Sequence, residues 1–342
     1  MKRFERITYA VFGVDVITSV RPNLDEEKVY LAVREALSLW STVTPLSFGA
    51  PRAGEEPLLR IRFESDGQPS LGELGATSGF VSSTPTGPTG GADITIDSDN
   101  LLFLDRYLES FPIAVHGGPF DLIAVIAHEI GHGLGLEHPP IDPVTGQETE
   151  SGMMSPSKGT AVIRQLYPYD IREVQRRHGA IQLGGAVNAN LPETGRLIDA
   201  SSGVHLQTAG SGLVVSGPTE PTSRAVFDVL VPAKNSWANA LRLQFTTVTQ
   251  NVFVNRLDVF DGIFPLQQFA ISARNSGDEG LAGKSWDLLL GFLSRPRLAN
   301  DMLVRTELYF TKKDGQPQSD FGVLQLAGVT AETLPPAFEF HA

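Results

Sequence analysis

The run His128-Glu129-Ile130-Gly131-His132-Gly133-Leu134-Gly135-Leu136-Glu137-His138 decides how this 342-residue sequence is read. Its first half fits a helix, on which residues four apart share a face, so the imidazoles of His128 and His132 reach one ion. Glu129 lies beside them, within reach of a water on that ion. Gly135 follows the second histidine by three residues. A glycine there lets the chain leave the helix with φ > 0 and swing His138 round as a third ligand. Three neutral imidazoles leave a tetrahedral zinc ion one open position, the catalytic rather than the structural pattern. A structural site has no use for Glu129, whereas hydrolysis needs a general base.

The elements around this run alternate between strand and helix. Arg6 to Val14 and Leu58 to Glu64 alternate apolar and polar residues and read as half-buried strands. Between them, Asn23 and Glu26 make a capping-box-like start to a helix that carries Val29, Val33, Ala36, Leu37 and Trp40 on one face. Gly67 to Gly91 is rich in Gly, Pro, Ser and Thr and reads as a loop region holding one strand, Ala76 to Ser82. Ala92 to Asp97 alternates again as a strand. The histidine helix is expected from about Asp121 to Gly133, and another from Asp170, in capping register with Glu173, to Gly179.

Beyond Gly179 the character changes. Gly184 to Arg196 is polar and bears Gly, Asn and Pro, as a linker does. After it come short β-type runs, from Val204 to Gln207 through Ala225 to Val231 and Leu303 to Phe310 to the last at Phe321 to Leu326. Their spacing suggests a sandwich of roughly 7 or 8 strands. The expected organisation is an α+β domain over residues 1–180, a linker over 181–196 and an all-β, sandwich-like domain over 197–342.

Composition narrows the chemistry. The sequence has no cysteine, which excludes disulfides, a thiol nucleophile and thiolate metal ligands. The net charge is −12, with 15 basic against 24 acidic residues in 1–179, so the basic face that nucleic acid requires is not expected. No apolar run approaches the roughly 18 to 20 residues of a membrane span. Met1-Lys2-Arg3 is positively charged, but Asp15 and Thr18 interrupt the apolar run behind it, so no signal peptide is read.

The eleven-residue run resembles the zinc-binding signature of the metzincin metallopeptidases, and Ser151-Gly152-Met153-Met154-Ser155-Pro156 is similar to their methionine turn, with Met154 in the place of the turn residue. The matrixin branch is favoured by Ile7-Thr8-Tyr9, by Ala36-Leu37-Ser38-Leu39-Trp40 with Val43-Thr44-Pro45-Leu46-Ser47-Phe48, and by Asp170-Ile171-Arg172-Glu173-Val174-Gln175. The resemblance spans about residues 5 to 180 and departs in two places. Pro139 follows the third histidine where matrixins usually carry Ser or Thr, and Ser155 replaces the usual tyrosine of Met-Tyr-Pro.

The resemblance implies a twisted mixed sheet with three helices and endopeptidase activity on protein or peptide substrates in a secreted, extracellular setting. It implies one catalytic Zn²⁺ on His128, His132 and His138, with Glu129 as base. It places substrate main chain against a sheet edge, for which Gly75, Ala76 and Thr77 are the candidates. Ala124 would lie at the mouth of the S1′ pocket and Pro156 in its wall. Asp93, Asp97 and Asp99 are candidate Ca²⁺ ligands. The structural zinc of vertebrate matrixins is not expected, because no histidine lies between Glu64 and Asp97. A chain without cysteine also offers no thiol to occupy the catalytic zinc. His116 and His178 read as a loop residue and a helix-terminal imidazolium. The rival reading is a metal-binding adhesion or recognition protein with a silent metzincin fold.

Overall fold

The computed structural model describes residues 5–67, 74–100, 102–104, 120–150, 152–155, 166–181, 185–219, 222–249, 251–270, 284–293, 295–310 and 321–334. The chain divides into two compact units, Met1–Ile181 and Gln182–Ala342. No helix among the described residues is long and apolar enough to cross a membrane.

The first unit runs β1 (Glu5–Phe12), α1 (Val14–Val20), α2 (Glu26–Ser41), β2 (Leu46–Gly49), β3 (Leu59–Glu64), β4 (Gly75–Thr84) and β5 (Gly87–Asp97). It continues with β6 (Leu102–Phe103), β7 (Phe120–Asp121), α3 (Leu122–Gly133) and α4 (Pro168–His178). The main sheet has the order β2-β1-β3-β5-β4. All its neighbours are parallel except β4, which runs antiparallel to β5 at the edge. Alternation explains β3 and β5: Leu59, Ile61, Phe63, Ala92, Ile94 and Ile96 are buried while the residues between them are not. On α2 the expected stripe of Val29, Val33, Ala36, Leu37 and Trp40 is fully buried. Trp40 crosses to α3, donating its indole N–H to the Ala127 carbonyl at 3.0 Å.

Several local expectations are corrected. Asp25, not Asn23, caps α2, accepting from the Lys28 N–H at 2.8 Å, while Asn23 donates to the Leu102 carbonyl. An additional helix, α1, starts from Gly13 with no side-chain cap, so the described residues of the first unit hold four helices where three were expected. From Gly75 on, the Gly/Ser/Thr-rich run is a β4–β5 hairpin turning through Pro85 and Thr86, not a loop with a single strand. Ten cross-strand pairs there outweigh the turn-like composition.

The second unit comprises β8 (Gly185–Asn188), α5 (Leu191–Thr194), β9 (Arg196–Ala200), β10 (His205–Ala209), β11 (Gly212–Pro218) and β12 (Ser223–Val231). The remaining strands are β13 (Ala238–Thr247), β14 (Val252–Asp261), β15 (Phe264–Ala270), β16 (Lys284–Gly291), β17 (Met302–Phe310) and β18 (Phe321–Thr333). They form antiparallel sheets of order β10-β11-β18-β13-β16 and β15-β14-β17-β12-β9, with β8 added beside β18. Leu213, Leu243, Phe245 and Leu326 of one sheet and Phe227, Val229, Leu257 and Val304 of the other belong to one buried cluster. Within the segment expected as a linker, β8 pairs with β18, and Leu191 of α5 is buried in that cluster. Burial of one leucine and pairing of the strand outweigh the polar composition.

Candidate metal centre

Asp121 starts α3 by accepting from the N–H groups of Ile123 at 2.8 Å and Ala124 at 3.1 Å. The helix then carries His128 and His132 on one face. It ends where Gly135 adopts φ 83°, a left-handed conformation that disfavours side chains. The Leu136 N–H closes the turn on the Gly131 carbonyl at 2.9 Å, and the chain continues to His138. Tyr169 of α4 steadies this exit, its hydroxyl lying 3.2 Å from the Glu137 carbonyl and 3.1 Å from that of His138.

The three rings converge, with centroids 4.8 to 5.2 Å apart. His138 Nε2 lies 3.2 Å from His128 Nε2 and 3.1 Å from His132 Nε2. The outer nitrogens are committed elsewhere: His128 Nδ1 donates to the Met153 carbonyl at 2.9 Å and His132 Nδ1 to the Leu136 carbonyl at 2.8 Å. Each neutral ring so held turns a lone pair inward at Nε2. A hydrogen on His138 Nε2 could satisfy only one of those lone pairs, whereas a cation among the three satisfies all. The donor set thus fits zinc. Burial first, then the charges of His132 and His138, push His128 down to about 4 against the hydrogen bond to Met153. Burial and then His132 also lower His138, against Glu137 and Glu148. Both shifts favour the neutral, ligating form. Among the described residues, this is the one group of three His, Asp or Glu arranged to hold a metal.

Glu129 is 6% exposed and packs against the sheet edge. A Cβ placed on Gly75 would lie 2.8 Å from Glu129 Cγ, and Thr77 Oγ1 donates to Glu129 Oε2 at 2.7 Å. Ala76 between them is exposed. Ala124 is half-buried one turn before His128. Met154 is fully buried, its sulfur filling the space above Gly131. Pro156 and His116 lie outside the described residues.

Two roles were not legible in the sequence. Asp170, fully buried, is the third residue of α4 rather than its cap. Its carboxylate accepts from the N–H groups of Met153 at 2.6 Å, Met154 at 3.1 Å and Tyr167 at 2.8 Å, holding the turn beneath the histidines. His178, expected as a helix-terminal imidazolium, is buried: Nε2 donates to the Leu134 carbonyl at 2.9 Å, and Nδ1 lies 2.7 Å from Ser83 Oγ. The capping signal at Asp170 was visible, but its reach to Met153 depends on tertiary packing.

Each of the three calcium candidates accepts hydrogen bonds within the protein. Asp93 is held by Arg60 through two bonds of 2.6 and 2.7 Å. Asp99 accepts from the Ser65 hydroxyl and from the N–H groups of Asp66 and Gly67, while Asp97 accepts from the Asp99 N–H. The Arg21 guanidinium meanwhile binds the carbonyls of Ser98 and Asp99.

The mixed α+β unit thus holds a convergent three-histidine set, suited to a metal ion, beside a buried glutamate. The chain belongs to the matrixin family, which matches residues 3–175. It is 33% identical over 187 residues to matrix metalloproteinase-C of Caenorhabditis elegans, covering 51% of this chain and 28% of that protein. It is 30% identical over 122 residues to interstitial collagenase of Sus scrofa, covering 36% and 24%. Karilysin of Tannerella forsythia is 32% identical over 111 residues, covering 31% and 21%. The chain thus spans less than a third of each of these relatives. Among solved structures, a family 29 carbohydrate binding module superposes at a TM-score of 0.24 and 9% identity over 46% of this chain and 94% of the module, too loose a likeness to assign a fold.

Proposed function

We propose that the chain is a zinc-dependent endopeptidase that hydrolyses internal peptide bonds of protein substrates. The observation that carries this reading is the buried carboxylate of Glu129, adjacent in sequence to a ligand of the three-histidine set and held by the sheet edge. A merely structural metal would give such a carboxylate no work. In this reading His128, His132 and His138 hold one Zn²⁺, and Met154 forms the apolar floor. Bound zinc supplies a Lewis acid that polarises the scissile carbonyl and lowers the pKa of water towards about 7.

The Glu129 carboxylate takes a proton from the attacking water and delivers it to the leaving amide nitrogen, so cleavage needs no covalent intermediate. Substrate main chain pairs with the edge of β4 at Gly75, Ala76 and Thr77, opposite the edge that β5 occupies. Ala124 and Pro156 border the pocket for the residue after the scissile bond. Residues 1–181 perform the chemistry, Gln182–Ala342 form an accessory β unit, and the setting is extracellular. Glu129→Ala is expected to retain one zinc per chain and lose casein cleavage. A zinc-loaded parent chain that leaves casein intact would refute the proposal.

A further inference from the structure

We infer that Thr77 is a positioning residue for Glu129, an inference that rests on the endopeptidase reading above. The edge strand meets α3 through Gly75 and Thr77, which share one face of β4 because they are two apart. At Gly75 there is no room for a side chain: a Cβ would lie 2.8 Å from both Glu129 Cγ and the Thr95 carbonyl oxygen. The methylene stem of the base therefore lies against the main chain of the strand. At Thr77 the contact is polar, with Oγ1 2.7 Å from Glu129 Oε2 and 3.1 Å from the Glu129 carbonyl oxygen.

A hydroxyl has one hydrogen to donate, and the nearer, charged carboxylate is the stronger acceptor. The stem and the tip of Glu129 are thus both referenced to β4. A glutamate side chain otherwise has several rotamers, each placing its oxygens at a different distance from the proton it must take. The hydroxyl of Thr77 selects one of them. In this arrangement the strand whose other edge receives the substrate also carries the fixed point for the proton acceptor. Peptide docking and base alignment then depend on one rigid element rather than on two that must be brought into register.

Valine at position 77 keeps the β-branched shape that suits a strand while removing the donor, and serine keeps the donor while removing the methyl group. The test compares Thr77→Val and Thr77→Ser with the parent, as zinc-loaded full-length chains on a quenched fluorescent peptide. Thr77→Val is expected to lose on the order of tenfold in kcat with KM within about twofold, because binding is retained and alignment of the base is not. Thr77→Ser should stay within about twofold of the parent in both constants.

All three chains should hold one zinc per chain, and a crystal structure of Thr77→Val should show Glu129 in more than one rotamer. If Thr77→Val fails to load zinc, Thr77→Ala, which adds no bulk, carries the same expectation. A parent that cleaves the peptide beside a Thr77→Val or Thr77→Ala chain of equal kcat overturns the role of Thr77 alone. So does a Thr77→Ser chain as slow as the valine variant. A zinc-loaded parent that cleaves nothing overturns the endopeptidase reading and this inference with it.

Discussion

Replacing Asp170 by asparagine tests whether a residue outside the three-histidine set governs the metal centre. Its Oδ2 accepts from the N–H groups of Met153 and Tyr167, and its Oδ1 from that of Met154. An asparagine can present one oxygen to Met153 and Tyr167, but its NH2 group then faces the N–H of Met154. One hydrogen bond to a charged group is lost, at about 1.5 to 3 kcal/mol, and two others weaken towards the roughly 1 kcal/mol of neutral bonds. Removing the buried charge returns part of this, so a net loss of about 3 kcal/mol is expected. For a unit of this size that corresponds to roughly 6 to 12 °C in Tm.

The second consequence concerns the metal. The Met153 carbonyl orients His128 through the 2.9 Å bond from Nδ1, and disturbing a partner of this kind typically weakens metal affinity about 10- to 100-fold. Urea denaturation of the full chain, following the transition that responds to zinc, reads the first effect. Competition with a chromophoric chelator reads the second. A stability loss under about 1 kcal/mol together with unchanged zinc affinity would refute the reasoning. A loss of stability alone would mean that Asp170 holds the turn but that the turn does not set His128.

Gly131→Ala should destabilise by about 1 to 3 kcal/mol through overpacking. The added Cβ would fall 2.2 Å from Met154 Sδ and 2.9 Å from Trp40 Cζ2, and of these only the methionine can yield. Thermal denaturation checks the loss, and a Tm equal to the parent's would contradict the packing. His178 predicts a pH effect. Burial holds it below the usual histidine range, with the Leu134 carbonyl and Glu5 opposing and Arg177 reinforcing. Ser83 Oγ lies beside both His178 Nδ1 and the Glu5 carboxylate, so its one hydrogen serves one of them at a time. The unfolded chain takes up this proton near pH 6.5 and the folded chain only below that. The contribution to stability is therefore complete above about pH 6.5 and is lost as pH falls through the folded value. His178→Gln should flatten stability between about pH 7 and 5 without abolishing its slope, since His128 and His138 are shifted the same way. An unchanged slope in urea titrations would count against it.

The legible parts of this protein are those whose signal is local. Leu59, Ile61 and Phe63 alternate, the α2 stripe repeats at helical spacing, and the three histidines and the glutamate of the candidate centre fall within eleven residues, so neighbours in sequence are neighbours in space. The β4–β5 hairpin was obscured by its glycines and hydroxyl residues, because pairing across strands is not written into either strand alone. Strand β9 is exposed along its whole length and so carries no alternation to read. The burial of His178 is not legible at the helix end, because the contacts that bury it come from Ser83 and Leu134, 95 and 44 residues away.

The contacts of α4 explain why a helix that contributes no ligand is part of the metal centre. Tyr169 holds the carbonyl of His138, Asp170 holds the turn that orients His128, and His178 holds the Leu134 carbonyl at the end of the ligand helix. The end of α3 thus has a fixed point two residues from His132, and α4 reaches the chain beside or near each of the three histidines. None of these contacts is a carboxylate bonded to a ligand ring; two act on main-chain carbonyls and one on main-chain N–H groups. A centre built this way keeps its geometry only while the backbone turns keep theirs, since a carbonyl cannot rotate towards a displaced ring without moving its own peptide plane. Through these backbone contacts the packing of α4 bears on the orientation of all three imidazoles.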